Sequence, residues 1–258
     1  MGDIMNCNTV CSNKKRSKCQ EQGDGYPLSG SSINIPFTNY ALEKLKPDSN
    51  NQDVYFYVMT TIKLNKNGQF IQTGTGPNFQ GGLITLCTCK HLMRSSLEVS
   101  QWEDKWIAGF TSITCVNNEK KNYLVYLMKV SEAFESYNKL WSNNIPSETK
   151  KIKNAHTNRL GDIYKPIMKN AKLHDRKDYE KPCINHDRYE NNEWHTDIKY
   201  NGYSNRPAAL LVGNRKQSFL YEKPIFYFNT QLLTNNHNGI GSGYRKLKFE
   251  EFLKSLKR

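Results

Sequence analysis

The sequence predicts an α+β domain, with a mixed or barrel-like sheet and flanking helices. Several runs of aromatic and β-branched residues have strand character, and stretches with helical spacing of apolar residues lie between them. Aromatic residues make up 12% of the 258 residues, which indicates a genuine core. We expect a flexible basic leader at residues 1–34, a single domain at 35–258, and a polar excursion over the surface at 143–203.

The strands are predicted near residues 54–62, 105–112, 123–130 and 219–228, with further strand character at 207–213. The run Val54–Ile62 is apolar without alternation, so we expect both of its faces to be covered. Pro224 places the last strand at an edge or a bulge, because proline cannot donate to a ladder.

Helices are predicted where apolar residues recur at helical spacing. The segments are Phe37–Leu45, Thr85–Arg94, Ser131–Trp141 and Lys248–Lys257. We expect the last of these to dock on the core through its phenylalanine and leucine side chains.

The charge balance favours a polyanionic partner. The chain has 37 lysine and arginine residues against 24 acidic ones, a formal net charge of +13. Neutralising phosphates releases condensed counterions, so such a surface suits nucleic acid or nucleotides, although a lysine-rich composition alone would look the same. No apolar run is long enough to span a bilayer, so no membrane partner is expected.

The seven cysteines follow no disulfide or zinc-binding pattern. We expect Cys7, Cys11 and Cys19 to be free thiols and the protein to work in a reducing cytoplasm. No metal site is predicted and no cofactor is indicated.

Two neighbouring features suggest a ligand site. The glycine-bearing loop 74–82 offers backbone N–H groups before the predicted helix Thr85–Arg94, where a phosphate would be favoured; a tight turn explains it equally. Lys90 and Arg94 are four residues apart and would share one helical face, suited to a phosphate or a base edge. A solvated basic face is the alternative.

Single residues add further candidates. Trp106 and Tyr164 offer rings on which a base could stack, although large aromatics are more often core residues. Asp162, in a Gly-Asp turn, is a candidate general acid or base, or a turn aspartate bonded to its own backbone. The chain has no serine-hydrolase elbow, HExxH motif or zinc-deaminase signature.

In order along the chain, these pieces resemble the bacterial and phage family called the nucleotide modification associated domain. The densest match runs from Pro77 through Thr85-Leu86 and Cys89-Lys90 to Arg94. Further matching elements are 105–109, 124–130, 161–164, 219–228 and 241–246. The sequence departs from the family pattern before Lys105, within 77–79 and after Asp162, which suggests a divergent member.

The resemblance implies a link to hypermodified bases in phage and antiphage systems. Together with the candidates above, it gives three hypotheses: a module that binds nucleic acid or modified bases, an enzyme that cleaves an N-glycosidic bond or transfers a group, and a protein–protein adaptor using 143–203. In the first, a small barrel of the PUA-like kind would hold a flipped base by analogy. The predicted catalytic residues are Lys90 and Asp162, and the predicted base- or nucleotide-binding residues are Asn78, Thr85, Cys89, Arg94, Trp106, Tyr164 and Arg245.

Overall fold

The predicted α+β class is confirmed. The computed structural model describes residues 26–28, 35, 51–65, 67–112, 114–116, 119–172, 175–186, 194–199, 206–221, 225–227 and 243–257. It contains a mixed six-stranded sheet with short flanking helices and a smaller three-stranded sheet. Within these residues the large sheet stays open, so the mixed form of the prediction holds rather than the barrel-like one. The predicted helix Phe37–Leu45 and cysteines 7, 11 and 19 lie outside the described residues.

The strands, in chain order, are short except for two long central ones. They are β1 (Tyr26–Pro27), β2 (Asp53–Met59), β3 (Ile62–Leu64), β4 (Phe70–Gln72), β5 (Thr85–Leu86), β6 (Trp106–Thr111), β7 (Thr114–Val116), β8 (Glu119–Lys121), β9 (Leu124–Phe134), β10 (Leu210–Leu220), β11 (Phe226–Tyr227), β12 (Tyr244–Lys248) and β13 (Leu256–Lys257). The α-helices are α1 (His91–Arg94), α2 (Tyr137–Ser142), α3 (Ser147–Lys153), α4 (Trp194–Lys199) and α5 (Phe249–Lys254).

The six-stranded sheet has the order β12-β2-β6-β9-β10-β5. Strands β2 and β6 pair in parallel, and the other pairs are antiparallel. Strand β1 pairs with β4 in the smaller sheet, so Tyr26–Pro27, inside the predicted leader, belong to the folded part of the protein.

Strand β2 is covered on both faces, as predicted. Tyr55 and Tyr57 join one hydrophobic cluster, whereas Val54 and Phe56 join another. This division follows from the two-residue period of a strand, which sends alternate side chains to opposite faces. The second cluster includes Phe249 and Phe252, so the C-terminal helix does dock on the core.

Two helix predictions are wrong in part, because apolar spacing does not distinguish a short helix from a strand followed by a turn. The segment Ser131–Trp141 begins as the end of β9, and only Tyr137–Ser142 is helical. In the segment Thr85–Arg94, Thr85–Leu86 form a strand and only His91–Arg94 are helical.

The polar segment 143–203 is less superficial than predicted. Much of its described part is loop, but it supplies buried residues of a third hydrophobic cluster, among them Ala155, Ile163 and Tyr179. It also contains α3 and α4. The segment therefore belongs to the core of the domain as well as to its surface.

Cys87 and Cys89 are free thiols, and Cys183 is disulfide-bonded. Among the helices of the described ranges, none is both long and apolar enough to cross a membrane.

Candidate functional site

The segment of densest family resemblance turns sharply at Lys90. Strand β5 pairs with β10 at the edge of the large sheet, and the chain then turns before α1. Lys90 has φ 57° and ψ 42°, a left-handed conformation that costs an L-residue about 1–2 kcal/mol. Strained backbone of this kind persists where the surroundings enforce it, and it concentrates at functional sites. We call residues Cys87–Lys90 the Lys90 turn.

The Lys90 side chain lies against the sheet. Its Nζ is 5.1 Å from the centre of the Tyr57 ring, on strand β2, the neighbour of the edge strand β12. The side chain is half-buried, and burial lowers the pKa of the amine from its usual 10.5. A desolvated ammonium interacts more strongly with an anion or a base edge than one in bulk water, because less solvent screens it.

The floor beneath Lys90 is a pair of buried tyrosines. The hydroxyls of Tyr57 and Tyr126 are 2.8 Å apart, and burial raises the pKa of both well above the usual range. Gly109 makes room for this pair, since a Cβ there would be 2.1 Å from the Tyr126 ring. The two hydroxyls are therefore neutral, and the ring packing fixes their positions.

Cys89 is held at the rim of the turn. Its thiol donates to the Gly76 carbonyl at 3.1 Å, and its side chain is partly exposed. Gly76 has φ 62°, and a Cβ there would be 2.6 Å from the Thr88 hydroxyl. The glycine loop thus packs against the turn. It is buried over residues 74–79 and leads into strand β5 rather than into a helix, so the predicted phosphate cradle at a helix N-terminus is wrong.

Arg94 is fully buried, contrary to the predicted basic face shared with Lys90. Its Nε donates to the Cys89 carbonyl at 2.7 Å, and its Nη1 donates to the carbonyls of Ala208 and Ala209 at 3.1 and 2.7 Å. These three bonds fasten the Lys90 turn to the chain entering β10. Arg94 therefore holds the Lys90 turn in place from its buried side.

Three of the predicted site residues meet in a separate buried cluster. The Thr85 hydroxyl donates to Asp162 Oδ1 at 2.8 Å, and the backbone N–H of Cys87 donates to Asp162 Oδ2 at 3.2 Å. Lys153 Nζ donates to the Asn78 carbonyl, to Asn78 Oδ1 and to Thr85 Oγ1 at 3.0, 2.8 and 3.0 Å. We call Asn78, Thr85, Lys153 and Asp162 the buried ion cluster.

The hydrogen bonds in this cluster match an ammonium paired with a carboxylate. Lys153 uses three donors, as an ammonium does, and Asp162 accepts on both oxygens, as a carboxylate does. Burial lowers the pKa of Lys153 to about 8, with Asp162 opposing the shift; burial also raises the pKa of Asp162, with Lys153 opposing. All four side chains are fully buried, so the cluster ties α3 and the 161–163 loop to the segment before the Lys90 turn.

A second buried carboxylate orients the residue next to Lys90. His91 Nε2 is 2.8 Å from Asp197 Oδ1, and the Tyr164 hydroxyl donates to Asp197 Oδ2 at 3.0 Å. Tyr164 is fully buried and packs against Tyr137, whose hydroxyl donates to the Cys87 carbonyl at 2.7 Å. Tyr164, which the sequence predicts to stack on a base, instead packs on the buried side of the Lys90 turn.

Two other candidates lie apart from the turn. Trp106 is fully buried against Phe249, with ring centres 5.1 Å apart, and its indole N–H donates to Gln52 Oε1 at 2.7 Å. Arg245 lies on β12, at the edge of the sheet opposite β5. Trp106 thus occupies a core position, and Arg245, which pairs with Phe56, faces the side of the sheet away from Tyr57 and Lys90.

The model of a family described as nucleotide modification associated domain 2 matches residues 52–203, more than half of the chain. The chain belongs to this family. The comparison confirms the resemblance noted in the sequence, and membership gives the protein a role connected with nucleotide modification. No curated protein and no solved structure matches the chain.

The matched nucleotide modification associated domain 2 region contains the Lys90 turn, the buried ion cluster and Asp197. Arg245 and strand β12 lie beyond it. Sequence reasoning missed Lys153 and Asp197, because each sits in a polar stretch that predicts a solvated surface. The residues described here contain no group of three or more histidine, cysteine or acidic side chains placed to hold a metal ion.

Proposed function

We propose that the protein binds nucleic acid or a nucleotide and recognises a modified base at the Lys90 turn, in a phage or antiphage setting. The observation that carries the proposal is Lys90 itself. It is a half-buried cation in a left-handed backbone, held over the Tyr57 ring at the point of densest family resemblance. The formal net charge of +13 supports a polyanionic partner.

The Lys90 turn is better suited to discriminating between bases than to raising the overall affinity for nucleic acid. A cation already packed against the Tyr57 ring loses less freedom on binding than one in open solvent, and a partly desolvated site strengthens each hydrogen bond. The neighbouring Cys89 thiol and its bond to Gly76 limit the shape of what can approach. The protein would then distinguish a modified base by whether its added group fits against Cys89 and Gly76.

Binding to matched DNAs with and without hypermodified bases tests the proposal. The wild type should bind the modified DNA more tightly, and Lys90→Met, which keeps the length of the side chain, should weaken binding about 10- to 100-fold. This range corresponds to losing one charge-assisted hydrogen bond of about 1.5–3 kcal/mol.

Lys254→Met is the matched control. Lys254 is exposed on α5, where it pairs with Glu250 at 2.9 Å, and its loss should change affinity by less than about twofold. Thermal melts of both variants show whether they are folded. Equal binding of modified DNA by Lys90→Met and the wild type would refute the proposed site.

An enzyme acting on a base or nucleotide is the second candidate, and the lowered pKa of Lys90 favours it. A lowered pKa increases the fraction of the amine that is unprotonated at neutral pH, and only that form is a nucleophile. If Lys90 displaces a base from its sugar carbon, borohydride should trap a covalent protein–DNA adduct and chromatography should detect the released base. Lys90→Met should form no adduct. Binding without adduct or release would leave the binding function alone.

A further inference from the structure

The face of the sheet beneath Lys90 continues onto the edge strand β12. Tyr244 pairs with Tyr57, Lys246 with Tyr55 and Lys248 with Asp53. Side chains directly opposite in an antiparallel pair point to the same face. Tyr244, Lys246 and Lys248 therefore share the face on which Lys90 lies, whereas Arg245 points to the other one.

Contacts between side chains link these residues on one face of the sheet, through the buried rings of Tyr55 and Tyr57. Lys246 Nζ is 5.6 Å from the centre of the Tyr55 ring, and the Tyr55 and Tyr244 ring centres are 6.1 Å apart. Tyr57 connects this set to the turn, since Lys90 lies over its ring. We call Tyr244, Lys246 and Lys248 the β12 strip.

The β12 strip is exposed to solvent and carries excess positive charge. The Tyr244 residue is 37% exposed, and the side chains of Lys246 and Lys248 are each 50% exposed. Both ammonium groups contact a single carboxylate, Asp53, at 3.1 and 3.0 Å. Lys105 approaches the same carboxylate at 3.8 Å, so one negative charge faces three positive ones.

We infer that the ligand of the Lys90 turn is a single polynucleotide strand, whose backbone runs along the β12 strip with a base stacked on Tyr244. This inference rests on the proposed function. From Tyr244 to Lys248 the strand extends about 14 Å, at about 3.4 Å per residue, which is more than one phosphate needs. An exposed aromatic ring flanked by lysines is the arrangement by which proteins hold unpaired bases and follow a backbone.

A free nucleotide would contact Lys90, and the exposed lysines of β12 would then take no part in binding it. A duplex would offer phosphates, but its stacked bases would not expose a face to Tyr244. Charge complementarity and the aromatic ring together therefore favour a strand over both.

The test compares a mononucleotide with oligo-dT and oligo-rU of about eight nucleotides, a length within single-strand site sizes. The wild type should bind the oligonucleotides more tightly than the mononucleotide and more tightly than a duplex of equal length. Equal affinity for oligo-dT and oligo-rU would show that contacts to the phosphate backbone and base stacking dominate the binding energy. A preference for one of them would show whether the natural ligand is DNA or RNA.

The lysine test uses the double variant Lys246→Gln/Lys248→Gln. It should weaken oligonucleotide binding about tenfold or more and reduce the magnitude of the logarithmic salt slope by about 1.4, the value for two lost phosphate contacts on a single strand. Mononucleotide binding should stay at the wild-type level. Lys139→Gln/Lys151→Gln is the matched control, because each of these exposed lysines also pairs with one glutamate.

The aromatic test separates stacking from stability. Tyr244→Ala should weaken oligonucleotide binding about fivefold or more, and Tyr244→Phe should retain it, since the phenyl ring still stacks. Melting temperatures of all variants are measured alongside.

The inference is overturned if the Lys246/Lys248 double variant binds the oligonucleotides as the wild type does, with the same salt slope. In that case Lys90-dependent binding would survive as mononucleotide recognition. Failure of the proposed function looks different: the wild type would bind neither ligand, or Lys90→Met would bind both normally.

Discussion

At the scale of single residues, the structure separates two cations that the sequence places together. Lys90 is half-buried on the sheet face, whereas Arg94 is fully buried and donates to three backbone carbonyls. Their variants should therefore behave differently. Loss of Arg94 would leave buried carbonyls without donors and destabilise the fold, whereas Lys90 is only half-buried and its loss should cost less stability.

The left-handed backbone of Lys90 gives the first prediction. Lys90→Gly and Lys90→Ala both remove the ammonium, so both should lose binding of modified DNA to the same extent. Glycine adopts φ 57° without strain, so the glycine variant should be more stable than the alanine variant by about 1 kcal/mol. Urea denaturation measures the difference. An alanine variant at least as stable as the glycine variant would show that the turn is not strained.

At the scale of secondary-structure elements, the sequence predicts the main strands but not the buried residues that hold the Lys90 turn in place. The runs of aromatic and β-branched residues predict β2, β6 and β9, because such side chains fit a sheet covered on both faces. The Lys90 turn cannot be predicted in this way. The apolar residues of the segment Thr85–Arg94 around it have helical spacing, yet β10 supplies sheet partners to Leu86 and Thr85.

Helix α3 shows why the buried ion cluster escapes a hydrophobic pattern. Ile152 is 40% exposed, while Lys153 next to it is fully buried. The hydrogen bonds that Lys153 donates to Asn78 and Thr85 make that burial possible, and both acceptors are far away in the chain. Of the residues predicted for the site, Asn78, Thr85 and Asp162 do come together, but around a lysine that was not predicted.

The pKa of Lys153 gives a prediction for the contacts between these elements. The amine releases its proton at a pKa of about 8 in the folded protein, against 10.5 as the reference value. Between these values the unfolded chain binds more protons than the folded one, so rising pH favours folding through this group. The free energy of unfolding of the wild type, minus that of Lys153→Met, should therefore increase from pH 8 to pH 10.5.

Urea denaturation at several pH values measures this difference. Lys151→Met, an exposed position on the same helix, provides the control. Parallel curves for the wild type and Lys153→Met would contradict the assigned shift.

At the scale of the whole molecule, one face of the large sheet organises the site. The Lys90 turn lies over β2, and the edge strand β12 extends the same face with exposed lysines. The net charge of +13 predicts a polyanion but not where it binds. That location depends on strand register, since a shift of one residue would replace Lys246 with Arg245 on this face.

The central claim is that a base is recognised at the Lys90 turn, and photo-crosslinking tests it most directly. Single-stranded DNA carrying a photoreactive, modified base would be irradiated with the wild type and with Lys90→Met, and the attached peptides mapped by mass spectrometry. The account predicts that attachment concentrates on the peptide containing Cys89–Lys90, and falls sharply in Lys90→Met. Attachment confined to other surfaces, such as α2 and α3, at equal yield in both proteins would contradict it.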